Sequence, residues 1–319
     1  MGADLDWSSF RSIATNLLDG NPIAILVTVL FALGCPLLLH YLLYRKAAAP
    51  TSGSFLLLGP SGAGKTALFT LLESKSSRLE KSTKPTHISQ TSSSTTINLS
   101  PTIPIASNRY RSINDPSLSE ASKIPVTYHL RDTPGHGKLR ELQGISQLRA
   151  MLHPKKSKSG MRGVIFVVDA ASLSEQNEAL RDAASYLHDV LLILQKRALN
   201  NGKPSSKIAA EVAVLVAANK QDLFTALPPG SVRDKLELEI DRIRKSRGKG
   251  LMDSSVNPGG SDEEDILGGD DGHGMFSFKS LAGEVGVQVD VIGGAVKSDK
   301  EADVGAGVRR WEEWLGMCL

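Results

Sequence analysis

One short stretch of the sequence combines residue types that can enclose a chain of phosphates. Residues 59–66 read Gly-Pro-Ser-Gly-Ala-Gly-Lys-Thr and fit the pattern G-x-x-x-x-G-K-[ST]. Glycines let backbone amides turn towards phosphate oxygens, and the N-terminus of a following helix adds a favourable potential. The hydroxyl of Thr66 is predicted to ligate Mg2+. The residues predicted to contact phosphates are Gly59, Ser61, Gly62, Ala63, Gly64 and Lys65.

A second polar group, Asp132-Thr-Pro-Gly135, follows a predicted strand. A carboxylate at the carboxyl end of a strand can reach Mg2+ through a water molecule, which is the role predicted for Asp132. The backbone amide of Gly135 can donate to a γ-phosphate and so sense whether that phosphate is present. Alone this pattern is a common turn, but after a phosphate-binding loop it indicates a nucleoside triphosphate site.

The third group, Asn219-Lys220-Gln-Asp222, follows another buried strand candidate and indicates which base is bound. The Asp222 carboxylate can accept hydrogen bonds from the ring N–H and the exocyclic amine of guanine. Adenine offers no such pair of donors and would leave the carboxylate unpaired. The sequence therefore predicts GTP rather than ATP, with Asn219, Lys220 and Asp222 around the base.

Strands and helices must alternate along the chain to position these loops. Short apolar runs predict buried strands, and longer periodic stretches predict helices. The alternation predicts an α/β fold with a doubly wound, mostly parallel sheet and helices on both faces. The predicted strands are 55–58, 126–130, 163–168, 212–218 and 285–291, and the predicted helices are 66–73, 175–197, 232–247 and 308–315.

Two stretches show neither the apolar runs typical of buried strands nor the apolar period typical of helices. Residues 75–100 are polar and rich in Ser and Thr, which predicts a long mobile loop. Residues 248–274 combine glycines and serines with an acidic cluster, which predicts a disordered insertion.

Residues 22–44 contain no Asp, Glu, Lys or Arg and are predicted to form a single uncleaved transmembrane helix. Such a helix would measure about 35 Å, against about 30 Å for the hydrocarbon core of a bilayer. An ordinary core helix would be shorter, and a signal peptide would carry a basic region before the apolar run. Because Arg45 and Lys46 follow the run directly, the positive-inside rule places the larger C-terminal part in the cytosol. The predicted organisation is a lumenal segment 1–21, a span 22–44, a linker 45–54 and a nucleotide-binding domain 55–319.

The composition is typical of a folded protein. Hydrophobic residues make up 41% of the 319 residues and charged residues 22%, so a packed core is expected. The formal net charge of +3 is too small to favour nucleic acid, and no direct contact with it is expected. The chain has only two cysteines, Cys35 and Cys318, which excludes a disulfide framework and a cysteine zinc site.

The three ordered groups resemble those of the small GTPase superfamily, over the range from Phe55 to Leu319. That resemblance implies further site residues. His136 stands where many members have the glutamine that orients the attacking water, so it either positions water or leaves hydrolysis slow. Ala295 would offer its backbone amide to the base. Thr91, with Thr86 as second choice, would be the switch-loop ligand of Mg2+.

The apolar span, the Asp-Thr-Pro-Gly-His sequence at 132–136 and a tryptophan-bearing C-terminal helix together resemble the family of signal recognition particle receptor beta subunits. The resemblance implies a single-pass protein of the endoplasmic reticulum membrane that holds a peripheral alpha subunit in a GTP-dependent way. It also implies a role in cotranslational targeting, in proximity to a translocon or ribosome. An Arf-like trafficking GTPase that cycles by exchange and hydrolysis is the alternative. A membrane-tethered ATPase or kinase is disfavoured by the residues 219–222.

Overall fold

The computed structural model describes most of residues 53–319, with several gaps, and a short part of the N-terminal segment. The chain divides into two compact units, Met1–Thr51 and Ser52–Leu319. The described residues are 26, 29–39, 53–77, 87, 89–106, 126–152, 160–175, 177–200, 212–254, 267–268, 274–297 and 306–319.

The larger unit is built on a six-stranded sheet with the order β2-β3-β1-β4-β5-β6. Strand β2 pairs antiparallel with β3, and the other neighbouring strands pair in parallel. The parallel strands therefore end at one edge, where their loops meet. The strands are β1 Gly53–Leu58, β2 Ser93–Asn98, β3 Thr127–Asp132, β4 Met161–Asp169, β5 Ala213–Asn219 and β6 Val289–Gly293.

Helices follow most of the strands, as the alternating pattern predicts. A π-helical turn, Arg140–Ile145, separates the short helices α2 and α3, and a 3-10 turn, Ala306–Val308, precedes the last helix. The helices are α1 Lys65–Ser77, α2 Gly137–Leu139, α3 Ser146–Leu152, α4 Ser172–Glu175, α5 Asn177–Asn200, α6 Pro229–Ser254, α7 Phe278–Glu284 and α8 Arg309–Cys318.

The central strands are buried on both faces, which explains their continuous apolar runs. In β1, Leu56 and Leu58 face one hydrophobic cluster, whereas Phe55 and Leu57 face the other. The first cluster includes residues of α5 and α6, and the second includes residues of α1 and α8. The prediction of a mostly parallel sheet with helices on both faces is therefore confirmed.

The C-terminal helix α8 closes the second cluster with two tryptophans. Trp311 is 1% exposed and donates from its indole nitrogen to the carbonyl of Ile292, at 3.0 Å. Trp314 is also buried and donates to the Asp290 carboxylate at 2.9 Å. Both rings thus combine apolar burial with a satisfied N–H, the arrangement expected of core anchors rather than of ligand-stacking residues.

Several elements differ from the sequence prediction. Helix α7 was not predicted, and the last strand spans residues 289–293 rather than 285–291. Part of the predicted mobile loop 75–100 is strand β2, whose Ser- and Thr-rich sequence is tolerated because β2 lies at an edge of the sheet and is mostly exposed. Residues 137–152 are helical and were not predicted to be, although Ile145, Leu148 and Leu152 have helical spacing and are buried. Helix α6 continues through Ser254, so the first residues of the predicted insertion 248–274 are helical.

The described part of the predicted span 22–44 is helical. Residues 29–39 form a helix, and residue 26 is helical too. Large apolar side chains are exposed along it, including Phe31 at 72% and Leu37 at 69%. Within the described ranges, no helix has the length and apolar character needed to cross a bilayer. The remainder of 22–44, the segment 1–21 and most of the linker 45–54 lie outside the described residues.

Truncation of Trp311 tests whether α8 belongs to the cooperative core. Trp311→Ala should lower the free energy of unfolding by about 3–5 kcal/mol, since it removes a fully buried indole. Trp314→Phe keeps most of the ring and should lower it by about 1 kcal/mol, through loss of the hydrogen bond to Asp290. Urea unfolding of the full chain in detergent, followed by circular dichroism, measures both. Leu238→Ala, at a 45% exposed position, is the control. A Trp311→Ala effect no larger than the control would show that α8 unfolds independently.

Candidate nucleotide-binding site

The loop between β1 and α1 has the backbone shape that its glycines predict. Gly59, Gly62 and Gly64 have φ angles of 136°, 76° and 98°, in the region that residues with a β-carbon rarely adopt. A β-carbon on Gly59 would overlap the carbonyl of Val167, and one on Gly64 would overlap the Asn219 side chain. The loop therefore requires glycine both for its turns and for its close packing on β4 and β5. Ser61, Gly62, Ala63 and Gly64 all lie in this turn, ahead of α1.

Lys65 is the first residue of α1, and its ammonium group is held inside the loop. It donates to the carbonyls of Gly59 at 2.9 Å and Pro60 at 2.8 Å, neither of which carries a charge. Burial lowers the pKa of Lys65 to about 8, although the nearby Asp132 carboxylate opposes that shift. A buried ammonium with uncharged hydrogen-bond partners favours an anionic ligand.

Thr66 and Asp132 lie together, as predicted for a magnesium site. The Thr66 hydroxyl donates to Oδ2 of Asp132 at 2.8 Å. Oδ1 of Asp132 is buried and has no hydrogen-bond partner among the described residues. Burial raises the pKa of this carboxyl above its ordinary value, against the opposing effects of Thr66 and Lys65. An unpaired buried carboxylate oxygen next to a hydroxyl fits a hard cation.

The described residues contain no cluster of three or more His, Cys, Asp or Glu side chains that would enclose a metal ion. Mg2+ commonly binds through one or two protein ligands and completes its shell with phosphate oxygens and water. Thr66 and Asp132 would hold the ion in that manner, and its charge would neutralise phosphate oxygens.

The structure places a different hydroxyl beside Thr66 from the one selected by sequence. Oγ of Ser89 lies 3.5 Å from Oγ1 of Thr66, whereas Thr91 is exposed two residues further along. Thr86 lies outside the described residues. Thr91 stays a prediction as a Mg2+ ligand, and Ser89 is an additional candidate that sequence reasoning missed. No motif marks Ser89, because serine is common throughout this segment.

Gly135 lies close to residues 59–64, the loop between β1 and α1, which we call the phosphate loop. A β-carbon on Gly135 would overlap Nζ of Lys65 and would lie 2.7 Å from the carbonyl carbon of Pro60. His136 is exposed and immediately precedes α2, and its side chain makes no capping hydrogen bond. The arrangement leaves the His136 side chain available at the rim of the site, and its role in water positioning stays a prediction.

Asn219 joins three loops at the carboxyl edge of the sheet. Its side-chain amide donates to the carbonyl of Ala63 at 2.8 Å, and its side-chain oxygen accepts from the Val296 amide at 3.1 Å. Asn219 is 3% exposed, so both contacts are shielded from water. The phosphate loop, the end of β5 and the loop after β6 are thereby held in one arrangement.

Lys220 continues from Asn219 in the left-handed region, with a φ of 63°. Its ammonium forms a 2.6 Å ion pair with Asp169, which ends β4 and is paired in register with Asn219. Partial burial raises the pKa of Asp169, but hydrogen bonds from Lys220 and Ser172 outweigh it and leave the pKa below its ordinary value. Asp169 thus directs the Lys220 side chain, a role the sequence analysis missed. An acidic residue closing a buried strand was the available signal.

The last two predicted residues border the same region. Asp222 is exposed, as a residue that binds an external base should be. Ala295 is half-buried, and it lies between Gly294, whose carbonyl accepts from the Gln221 amide at 3.2 Å, and Val296. The loop after β6 therefore lies beside the 219–222 loop. The roles of Asp222 and Ala295 in base binding stay predictions.

Substitution of Asp169 by asparagine tests whether its carboxylate positions the Lys220 side chain for nucleotide binding. Asp169→Asn keeps an oxygen for the backbone amides of Ala171 and Ser172 but loses the ion pair. Because Lys220 is partly exposed, we expect a loss of about 1 kcal/mol, or about fivefold in affinity, equal for GTP and GDP. Competition binding with a fluorescent guanine nucleotide measures it. Ser172→Ala, which removes only a hydroxyl from the same carboxylate, should have a smaller effect. Unchanged affinity in Asp169→Asn would show that Asp169 only caps α4.

The sequence of this chain is similar to those of known proteins. A family model described as signal recognition particle receptor beta subunit matches residues 51–285. The beta subunit of that receptor from Saccharomyces cerevisiae is 28% identical over 267 residues, which cover 82% of this chain and 82% of the yeast protein.

Solved structures give the same result. The beta subunit SRb of Chaetomium thermophilum, in its GDP-Mg form, is 34% identical with a TM-score of 0.54, over 84% of this chain and 98% of that one. Its SRb-GTP/SRX complex is also 34% identical with a TM-score of 0.54, over 83% and 98% of the two chains. The chain described here therefore belongs to the signal recognition particle receptor beta subunit family, a family of small GTPases.

Proposed function

We propose that this chain is the membrane-anchored, GTP-binding subunit that holds the receptor alpha subunit at the endoplasmic reticulum membrane for cotranslational targeting. The observation that carries the proposal is the meeting of three loops at one sheet edge. The phosphate loop, the Asp132–Gly135 loop and the Asn219–Asp222 loop come from different strands and are joined by Thr66 and Asn219.

Guanine nucleotide with Mg2+ is the ligand that this site suits. Lys65 offers a buried positive charge, Thr66 and Asp132 offer cation ligands, and Asp222 offers an exposed carboxylate for a base. The similar Chaetomium protein is found with GDP-Mg and, in complex with SRX, with GTP. These observations support binding of GTP and GDP by this chain.

The N-terminal segment supports a membrane anchor. A helix that exposes apolar side chains such as Leu30, Phe31 and Leu33 would be unfavourable in water. Insertion into a bilayer removes that surface from water, and Arg45 with Lys46 favours a cytosolic position for the following domain. We infer a single span within 22–44, with the nucleotide site in the cytosol.

The partner surface lies next to the nucleotide. Leu142 is 71% exposed in the π-helical turn whose first residue, Arg140, donates to the Gly135 carbonyl. An apolar side chain is therefore exposed on the turn that contacts the expected γ-phosphate sensor. Contacts of Gly135 with that phosphate would order the neighbouring turn and complete a surface for the alpha subunit. The SRb-GTP/SRX complex is a solved example of a GTP-form relative bound to SRX.

A change of base specificity tests whether the Asp222 carboxylate recognises guanine. Asp222→Asn should lose the charge-assisted hydrogen bonds to guanine, weakening GTP binding by about 2–4 kcal/mol, and should gain affinity for xanthosine triphosphate. Competition binding with both nucleotides measures the exchange. Asp234→Asn, on α6 outside the three loops, is the control and should leave both affinities unchanged. An Asp222→Asn variant that keeps its guanine preference would place base recognition elsewhere.

Recruitment of the alpha subunit should depend on bound GTP more than on hydrolysis. Thr66→Asn removes the hydroxyl beside Asp132, so recruitment to liposomes carrying the variant should fall about tenfold or more in a flotation assay. His136→Ala leaves the phosphate loop and the Asp132 pair in place, so recruitment at saturating GTP should be retained.

Nucleotide occupancy of each variant, measured after flotation, is the required control. Recruitment by nucleotide-free Thr66→Asn would contradict a GTP-dependent mechanism. Loss of recruitment by GTP-loaded His136→Ala would show that His136 belongs to the contact surface or that turnover is required.

A further inference from the structure

Arg140 opens the π-helical turn and makes contacts that the sequence motifs do not explain. Its guanidinium forms a bidentate pair with the Asp182 carboxylate on α5, both hydrogen bonds measuring 2.8 Å. The same group donates to the carbonyl of Gly135 at 3.3 Å. One side chain therefore connects the proposed γ-phosphate sensor to a long helix of the core.

The guanidinium is also fixed from a second direction. It lies over the ring of Tyr186 on α5, 4.5 Å from the ring centroid, which is cation–π geometry. Tyr186 is 1% exposed and packs edge-on against Phe166 of β4. The platform beneath Arg140 is thus part of the rigid core. Planarity and a fork of donors, both needed here, are properties of arginine and not of lysine.

The contacts of Arg140 involve the backbone on both sides of the His136 side chain. The Arg140 side chain donates to the carbonyl before His136, and the Arg140 backbone amide donates to the His136 carbonyl at 2.8 Å. The peptide group that carries the Gly135 carbonyl also carries the His136 amide. Holding that carbonyl therefore restrains both residues predicted to face the terminal phosphate and the attacking water.

The π-helical turn carries the restraint towards a second loop. Gln143, in the same turn, accepts from the Ser92 amide at 2.9 Å and donates to the Gln90 carbonyl at 3.2 Å. Gln90 adjoins Ser89, the residue beside Thr66. Gly144 fits against the Tyr186 hydroxyl with no room for a β-carbon. π-helical turns often mark functional positions, and this one joins both loops expected to respond to nucleotide.

We propose that Arg140 is a positioning residue: with Asp182 and Tyr186 it clamps the Gly135 loop to α5 in the arrangement that receives the γ-phosphate. The inference rests on the proposed GTP binding and deepens it. GDP has no γ-phosphate for the Gly135 amide to contact. The clamp therefore contributes to the binding of GTP but not to that of GDP, and it sets the discrimination between the two nucleotides.

Asp182→Ala is the direct test, because Asp182 is half-exposed and its loss leaves the core intact. We expect the affinity for a non-hydrolysable GTP analogue to fall about fivefold, and that for GDP to change by less than about twofold. Arg140→Lys should give a similar selective loss, since lysine keeps the charge but not the fork. Combining both substitutions should add little, because they break one contact set. Competition binding to the full chain in detergent measures every variant.

Arg181→Ala is the matched control, since Arg181 neighbours Asp182 but pairs with Glu239 at 3.7 Å. It should change neither affinity. If Asp182→Ala lowers the affinities for GTP and GDP equally, the contacts of Arg140 have only a structural role. If it changes neither affinity, the proposed positioning role of Arg140 is wrong. A wild-type protein that binds neither nucleotide would instead overturn the proposed function.

Discussion

The buried side chain of Asn219 is the interaction on which the site depends. Its amide group satisfies the Ala63 carbonyl and the Val296 amide at once, in a position that water does not reach. A buried amide that lost either partner would leave a polar group unpaired, which is more unfavourable than a missing contact. The loops that it joins are therefore held in place before any ligand arrives. This preorganisation is what allows short loops to bind a flexible ligand.

The sheet explains why those loops can meet. Parallel strands β3, β1, β4, β5 and β6 end at the same edge, and in-register pairing sets Asp169 beside Asn219. Both faces of the strands are covered by apolar side chains, so their register cannot slip without exposing the core. Close approach of the loops then excludes β-carbons at Gly59, Gly64 and Gly135. The glycines of the motifs are thus required by the close packing of the loops at this edge of the sheet.

The fold and the three motif loops could be predicted from sequence because each depends on local chemistry. Apolar runs identify buried strands, and glycines identify a turn that only they can form. Ser89 and Arg140 could not be identified in this way, since each acts through a partner distant in sequence, Thr66 and Asp182 respectively. Asp169 carries a local signal, as an acidic residue that closes a buried strand, but the sequence does not show that its partner is Lys220. Strand β2 was missed for a related reason, because an edge strand exposed to solvent lacks the apolar alternation that marks a strand.

We infer that these loops form a site for a guanine nucleotide. The decisive experiment is isothermal titration calorimetry of the purified wild-type chain with GTP, GDP and ATP, each with Mg2+. We expect one site per chain for GTP and GDP. We expect ATP to bind more weakly, on the order of 10^4-fold, because adenine would leave the Asp222 carboxylate unpaired. Binding of ATP with an affinity similar to that of GTP, or no nucleotide binding at all, would show that these loops do not form a guanine-nucleotide site.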